Sequence, residues 1–263
     1  ISGGKDSLAT LEILKKAEKD IRCFSLNPTK VAKKIMKIAK CKKPIIVRRE
    51  IDKNLLELNQ RGFLNGHTPF SAYLAFLSVL LAILFDYKNI AFSNEKSANE
   101  GNLKYLGRMI NHQYSKSSEF EEKFREYSKK YLAKNINYFS FLRGYGELEI
   151  SKMFIKHPKY FGVFSSCNQT LKTGKRWCNS CPKCLSVYLM LYPFLDKRRL
   201  LKIFGEDLFQ KKELLPTMMA LLGKTGKKPF ECVATFKENK TAFRLCSKKA
   251  KKLGGTPYLL TRL

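Results

Sequence analysis

A chain of 263 residues with 44% hydrophobic content is long enough for one large α/β domain, or for one domain with a small appendage. Its 51 basic and 22 acidic residues leave a net charge of +29, which predicts attraction to polyanions such as nucleotides, nucleic acid or anionic lipid. The longest apolar run, Phe70 to Phe85, falls short of the roughly 20 residues a membrane span needs and contains Ser71, Tyr73 and Ser78, so it predicts a buried core helix and no membrane-spanning one.

In chain order, Ser7 to Lys19 has helical periodicity, with Leu8, Leu11, Ile13 and Leu14 apolar. Ile21 to Leu26 is short and β-like. Pro28 opens a second helix to about Lys40, and Pro44 to Arg48 holds the buried-strand triplet Ile45-Ile46-Val47. Residues 51–66 read as polar and irregular. The apolar helix follows, then a strand at Asn89 to Phe92 that opens into the polar loop Ser93 to Glu100. Strand and helix in alternation predict an α/β fold, a parallel sheet with helices on both faces, whose ligands bind beyond the carboxyl ends of the strands. From Ser115 the chain reads as mainly helical, with helices at Ser118–Leu132, Glu147–Ile155, Lys183–Leu195, Arg198–Phe204 and Lys211–Leu222. The segment Pro229 to Leu245 includes a candidate strand at Cys232 to Phe236. The expected division is residues 1–115, a nucleotide-binding α/β domain, and residues 116–263, a mainly helical region packed on it.

The most informative short motif comes first. In Ser2-Gly3-Gly4-Lys5-Asp6-Ser7, the glycines permit positive φ and close approach of backbone to phosphate. The following helix presents free amides and a positive dipole end to an anion. The Walker spacing is absent. The string resembles the ATP-pyrophosphatase loop superfamily, which implies cleavage of ATP between its α and β phosphates, with Mg2+, and adenylation of an acceptor. Ser2, Gly3, Gly4, Lys5, Asp6 and Ser7 are the expected ATP-binding residues, joined at the same sheet edge by Ser25, Asn94 and Glu95. The loop starts at once, with no room for the strand expected before it, which predicts an N-terminally truncated domain.

Eight cysteines are present, and four of them, Cys167, Cys178, Cys181 and Cys184, follow C-x10-C-x2-C-x2-C spacing. That spacing suits a closed tetrahedral Zn2+ knuckle better than a secreted disulfide framework. Lys175, Arg176 and Lys183 would favour the thiolates. With no secretory signal visible, a cytoplasmic location is expected. Most lysines are scattered along helices, and only Lys248 to Lys252 is a dense run. The charge therefore reads chiefly as solvated surface, with nucleic acid such as tRNA a minor alternative partner.

His67, His112, Glu231 and Cys232 are the candidate acid–base groups, and Arg143 is a candidate carboxylate or phosphate ligand. The strings Gly66–Pro69, Ser93–Asn99, Asn111–Ser117, Phe164–Asn168, Arg176–Cys184 and Lys228–Cys232, taken in order with the loop, resemble the UDP-N-acetyl-α-D-muramoyl-L-alanyl-L-glutamate epimerase family over nearly the whole chain. Family members carry a region before the loop. The resemblance implies ATP- and Mg2+-dependent inversion of the terminal glutamate of a UDP-MurNAc-dipeptide, through an acyl-adenylate, for peptidoglycan synthesis. Alternatives at this point are an adenylating enzyme acting on tRNA or on a deazaguanine precursor, and a nucleotide-binding module without activity.

Overall fold

A computed structural model describes residues 1–17, 20–64, 69–170 and 175–262. The candidate His67 lies outside the described residues. The elements in order are α1 (Lys5–Ala17), β1 (Phe24–Leu26), α2 (Lys30–Ile38), β2 (Ile45–Val47), α3 (Lys53–Gln60), α4 (Phe70–Leu84), β3 (Asn89–Phe92), β4 (Leu103–Tyr105), β5 (Arg108–Ile110), α5 (Ser118–Tyr127), β6 (Asn137–Ser140), α6 (Glu147–Phe154), α7 (Pro182–Leu191), α8 (Lys197–Phe204), α9 (Leu215–Leu221), α10 (Phe236–Lys252) and α11 (Tyr258–Thr261).

The fold is α/β, with small sheets among many helices. One continuous parallel sheet was expected. The described residues instead form two parallel pairs, β1–β2 and β3–β6, and an antiparallel hairpin, β4–β5. Residue 1 runs beside β1, where the Ser25 hydroxyl donates to the Ile1 carbonyl at 3.0 Å. A Cys23–Cys41 disulfide, with Cα atoms 6.2 Å apart, ties the approach to β1 to the end of α2. Cysteine spacing pointed only to the cluster, because sequence separation says little about which distant thiols meet.

The main core surrounds α7, whose residues Lys183 to Leu191 are all buried. A helix apolar on every side is stable only when enclosed, and α6, α9 and α10 pack around this one. Cys167, Trp177, Cys181 and Cys184 belong to the same core. A second core joins Ala75, Val79 and Ala82 of α4 to Phe124 of α5 and Tyr138 of β6. Ala9, Leu142 and Ile150 pin α1 to α6.

Three local expectations are corrected, and one element had no expectation. Residues 51–66 are not irregular throughout, because Asp52 caps α3 by accepting from Asn54 N at 2.8 Å. The apolar segment at Phe70 is helical but only half enclosed: Ala75, Ser78, Val79, Leu81 and Ala82 are buried, while Phe76, Leu80, Ile83 and Leu84 are exposed. Residues 103–110 form the β4–β5 hairpin, with Leu106 and Gly107 at positive φ in its turn. No strand spans Cys232 to Phe236. Thr235 instead caps the long helix α10, in a box where its hydroxyl meets Glu238 N at 3.1 Å and Glu238 reaches back to Thr235 N at 2.9 Å. Short-range chemistry beat β propensity here, since the reciprocal bonds satisfy two otherwise orphaned amides. The dense lysine run falls in the last turns of α10. Its Lys249 is used internally, donating to the Tyr192 and Leu195 carbonyls just beyond α7 at 2.7 and 2.5 Å.

Candidate active site

The glycine loop turns directly into α1, whose first backbone bond runs from Leu8 N to Gly4 O at 3.3 Å. Gly3 has φ +112°, and a Cβ there would stand 2.9 Å from Val31 Cγ1. A Cβ on Gly4 would stand 2.9 Å from Ser166 Oγ. The Gly3 carbonyl accepts from Ser165 N at 3.1 Å. The loop is thus clamped between α2 and the Phe164–Asn168 segment, and the positive φ makes glycine necessary at Gly3. Gly3→Ala is expected to cost about 1–3 kcal/mol, from backbone strain and the Val31 clash, read as a lower midpoint in urea unfolding. A midpoint equal to that of the parent would show that the clamp is not rigid.

Ser2 is exposed, and the Ser7 hydroxyl donates to Gly4 O at 3.0 Å. Lys5 is 1% exposed and bonds both Asp6 and Glu147, the latter 3% exposed at the start of α6. Burial opposes the Lys5 charge, yet Asp6 and Glu147 outweigh it and raise the ammonium above its ordinary value. Burial favours neutral Asp6, but Lys5, Lys183 and Lys116 hold it below the carboxylate range. Glu147 is raised, by burial first, against the opposing pull of Lys5. Lys5 therefore spends its charge within the protein. The anion-binding capacity of the loop resides in its amides and helix end.

The loop after β3 closes the same region. Asn94 and Glu95 are buried, and Ser97 Oγ donates to Glu95 Oε1 at 3.0 Å. Asn94 Nδ2 donates to Ser140 Oγ at 3.0 Å, and the Ser25 hydroxyl is held by Ile1, so these two polar groups have structural partners. Arg143, expected as a ligand for a small anion, braces the site from behind. It donates to the carbonyls of Glu95 and Lys116 at 3.1 and 2.6 Å and to Glu121 Oε2 at 3.0 Å.

The strap Lys228–Cys232 crosses from the hairpin to the cysteine cluster. Lys228 is 1% exposed, with Nζ 2.8 Å from Glu100. His112 Nδ1 lies 2.7 Å from Asn102 Oδ1, whose side-chain amide donates to Pro229 O at 3.0 Å. Its ring meets Phe230 edge-on. Asn168 donates to Glu231 Oε2 at 3.0 Å. Burial and Cys181 raise the Glu231 carboxyl despite that bond. Lys116, in the turn Tyr114–Lys116, donates to Cys232 Sγ at 3.2 Å, and Lys183 of α7 donates to the Cys232 carbonyl.

Lys116, Glu147 and Lys183 were not among the candidate site residues read from sequence. By sequence alone Lys183 reads only as a neighbour of the thiols. Lys116 sits inside the Asn111–Ser117 string, where His112 is the more conspicuous titratable residue. Glu147 carried no local signal, since its partner Lys5 is 142 residues away.

The cysteine cluster is compact. Sγ separations are 3.9 Å for Cys167–Cys181, 3.7 Å for Cys178–Cys184 and 3.5 Å for Cys181–Cys184, and all four sulfurs lie within 4.8 Å of one another. Tetrahedral zinc with Zn–S bonds of ~2.3 Å requires sulfurs about 3.8 Å apart, so the set fits that ion. Asn179, at φ +56°, turns the chain between Cys178 and Cys181, and Cys181 caps α7 by accepting from Cys184 N at 3.5 Å. Its hydrogen bond with Cys184 lowers Cys181 below the thiol range and raises Cys184, concentrating negative charge at the positive end of α7. Asn168 and Lys183 adjoin the first and last of these cysteines, so the knuckle also positions the two side chains that hold Glu231 and Cys232.

Residues 1–141 match the family model for the MurL N-terminal domain, and residues 163–258 match that for the MurL C-terminal domain. Similar proteins include the UDP-N-acetyl-alpha-D-muramoyl-L-alanyl-L-glutamate epimerases of a Micromonospora species, 38% identical over 252 residues, and of Salinispora tropica, 38% identical over 253 residues. The protein of the same name from Xanthomonas oryzae pv. oryzae is 35% identical over 256 residues. Each match covers 95% of this chain but only 55–56% of the relative, so the chain spans about half the length of the curated relatives it matches. Extending from the glycine loop through the Lys228–Cys232 strap, these matches show that the chain belongs to the MurL family.

Proposed function

We propose that this protein carries the ATP-activating and proton-transferring machinery of an epimerase. Its proposed reaction converts the terminal L-glutamate of UDP-MurNAc-L-Ala-L-Glu to D-glutamate, for peptidoglycan synthesis. The observation that carries this reading is the meeting of the glycine loop and the Lys228–Cys232 strap in one charge cluster. Lys116 bonds Cys232 and also acts on Asp6 of the loop. One site would thus hold an anion-binding helix start and proton-transfer groups, and the names of the relatives suggest the substrate.

The chemistry requires both parts. The α-hydrogen beside a free carboxylate is very weakly acidic, because its removal adds a second negative charge to the same unit. Adenylation of that carboxylate removes its charge and lets the carbanion delocalise into the carbonyl. The loop amides and the start of α1 would bind the ATP phosphates. Asp6 and Glu95 would hold Mg2+, which neutralises polyphosphate charge. With the acyl-adenylate seated, Cys232, Glu231 and His112 would be the described candidates for proton transfer, and His67 stays a candidate from its sequence string. The cysteine cluster would hold Zn2+ in a structural role. A PP-loop fold for residues 1–115, with residues 116–263 as the substrate region, agrees with the parallel pairs and the loop position.

The test incubates the whole protein with ATP, Mg2+ and UDP-MurNAc-L-Ala-L-Glu, followed by chiral analysis of released glutamate. D-glutamate together with AMP and pyrophosphate is expected. Absence of both D-glutamate and AMP would refute the reading.

A further inference from the structure

The Lys116–Cys232 contact joins two parts of the chain 116 residues apart, and both ends are fixed independently. The Lys116 carbonyl is held by Arg143, and its amide donates to Gln113 O at 2.7 Å. The Cys232 carbonyl is held by Lys183 from the first turn of α7. The chain on either side of Cys232 is anchored to one carboxylate, by Lys228 before it and by Phe236 N after it, which donates to Glu100 at 3.3 Å. The sulfur and the ammonium are therefore presented to one another by three tethered segments.

The Lys116 ammonium stands 3.2 Å from the Cys232 sulfur and fixes its place, and a thiolate sulfur is the form that accepts a proton from carbon. Burial works against the Lys116 charge, but Cys232, Glu95 and Asp6 outweigh it and raise the ammonium above its ordinary value, so the charge persists at neutral pH. We propose that Lys116 is the positioning residue that holds Cys232 ready to take the α-proton of the activated glutamyl unit. This rests on the epimerase reading above. In the step, the proton passes from Cα to Cys232 Sγ, giving a thiol. The C–H electron pair delocalises into the acyl carbonyl. A second group returns a proton to the opposite face, and Cys232 then loses its proton to solvent. Lys116 stays protonated throughout.

Two measurements on the whole protein test this with K116M and K116R. The first is the iodoacetamide alkylation rate of Cys232 at pH 7, followed by peptide mass mapping. K116M is expected to slow it at least tenfold, and K116R to restore most of the rate. The second is deuterium incorporation at the glutamate α-carbon in D2O, counted per AMP formed. That ratio is expected to fall at least tenfold in K116M and to recover partly in K116R. A protein that merely lost stability would lose AMP formation and exchange together and leave the ratio unchanged. Parent-like alkylation in K116M, or an unchanged ratio, would overturn the proposal. Should the parent protein form no substrate-dependent AMP, the epimerase reading itself fails, while the alkylation arm still decides whether Lys116 controls the thiol.

Discussion

A Lys5→Met protein is expected to lose about 3–5 kcal/mol of stability, because the substitution leaves the buried Glu147 and the partly buried Asp6 without their cation. The Lys5 ammonium is enclosed, with Asp6 beside it and Glu147 reaching from α6. Removing one partner of a buried charge group costs far more than removing a surface pair, since water cannot re-solvate what remains. Lys116 and Lys183 act on Asp6 from further off and would recover part of the loss. Glu147→Gln should cost less, because an amide still offers an oxygen to Lys5. Urea unfolding followed by circular dichroism checks both variants. A Lys5→Met protein within 1 kcal/mol of the parent would show that the loop is not anchored through this pair. The substitution also bears on function: a loop pulled from its seat on α6 no longer aims the first amides of α1 at a phosphate.

The second large effect concerns the cysteine cluster. Cys184→Ser is expected to abolish tight zinc binding and to lower the thermal midpoint by well over 10 °C. Structural zinc sites contribute on the order of 10 kcal/mol of apparent binding energy, and Cys184 is completely buried in the principal core. Atomic absorption of the purified parent should give one zinc per chain, and the variant should give none. Because the cluster leads directly into α7, its loss would loosen the helix around which the main core is built. Lys183 and Asn168 would then release Cys232 and Glu231, so activity should fall with metal content. A parent protein with no zinc, and a variant of equal stability, would remove the metal from the account.

Features that depend on neighbouring residues were legible in the sequence. The helix after the glycine loop, the strand at Asn89–Phe92 and the four-cysteine spacing each follow from local pattern and stand in the structure, as does the strand at Ile45–Val47, although it is not the buried strand expected, Ile46 being exposed. What failed was of two kinds. Some local chemistry is masked by its surroundings: a β-rich string hides the Thr235–Glu238 box, and a polar one hides the Asp52 cap. The larger omission was long-range. Lys5 with Glu147, Lys116 with Cys232, and Lys183 with the strap unite residues more than 45 positions apart. No periodicity or spacing encodes such partners. Arg143 shows the same limit from the other side. Its residue type suits an anion ligand, yet its surroundings make it an internal brace between the post-β3 loop and the turn that carries Lys116.

In the proposed reaction the glycine loop and the candidate proton-transfer groups are joined by attack of the glutamyl carboxylate on the α phosphate of ATP. Isotope transfer tests that directly. UDP-MurNAc-L-Ala-L-Glu labelled with 18O in the α-carboxylate of its terminal glutamate would be incubated with the whole protein, ATP and Mg2+ in unlabelled water, and the AMP examined by mass spectrometry. Formation of the acyl-adenylate, followed by attack of water at its carbonyl carbon, predicts AMP carrying one 18O atom. AMP free of label, formed alongside D-glutamate, would contradict activation through an acyl-adenylate resolved at the carbonyl carbon.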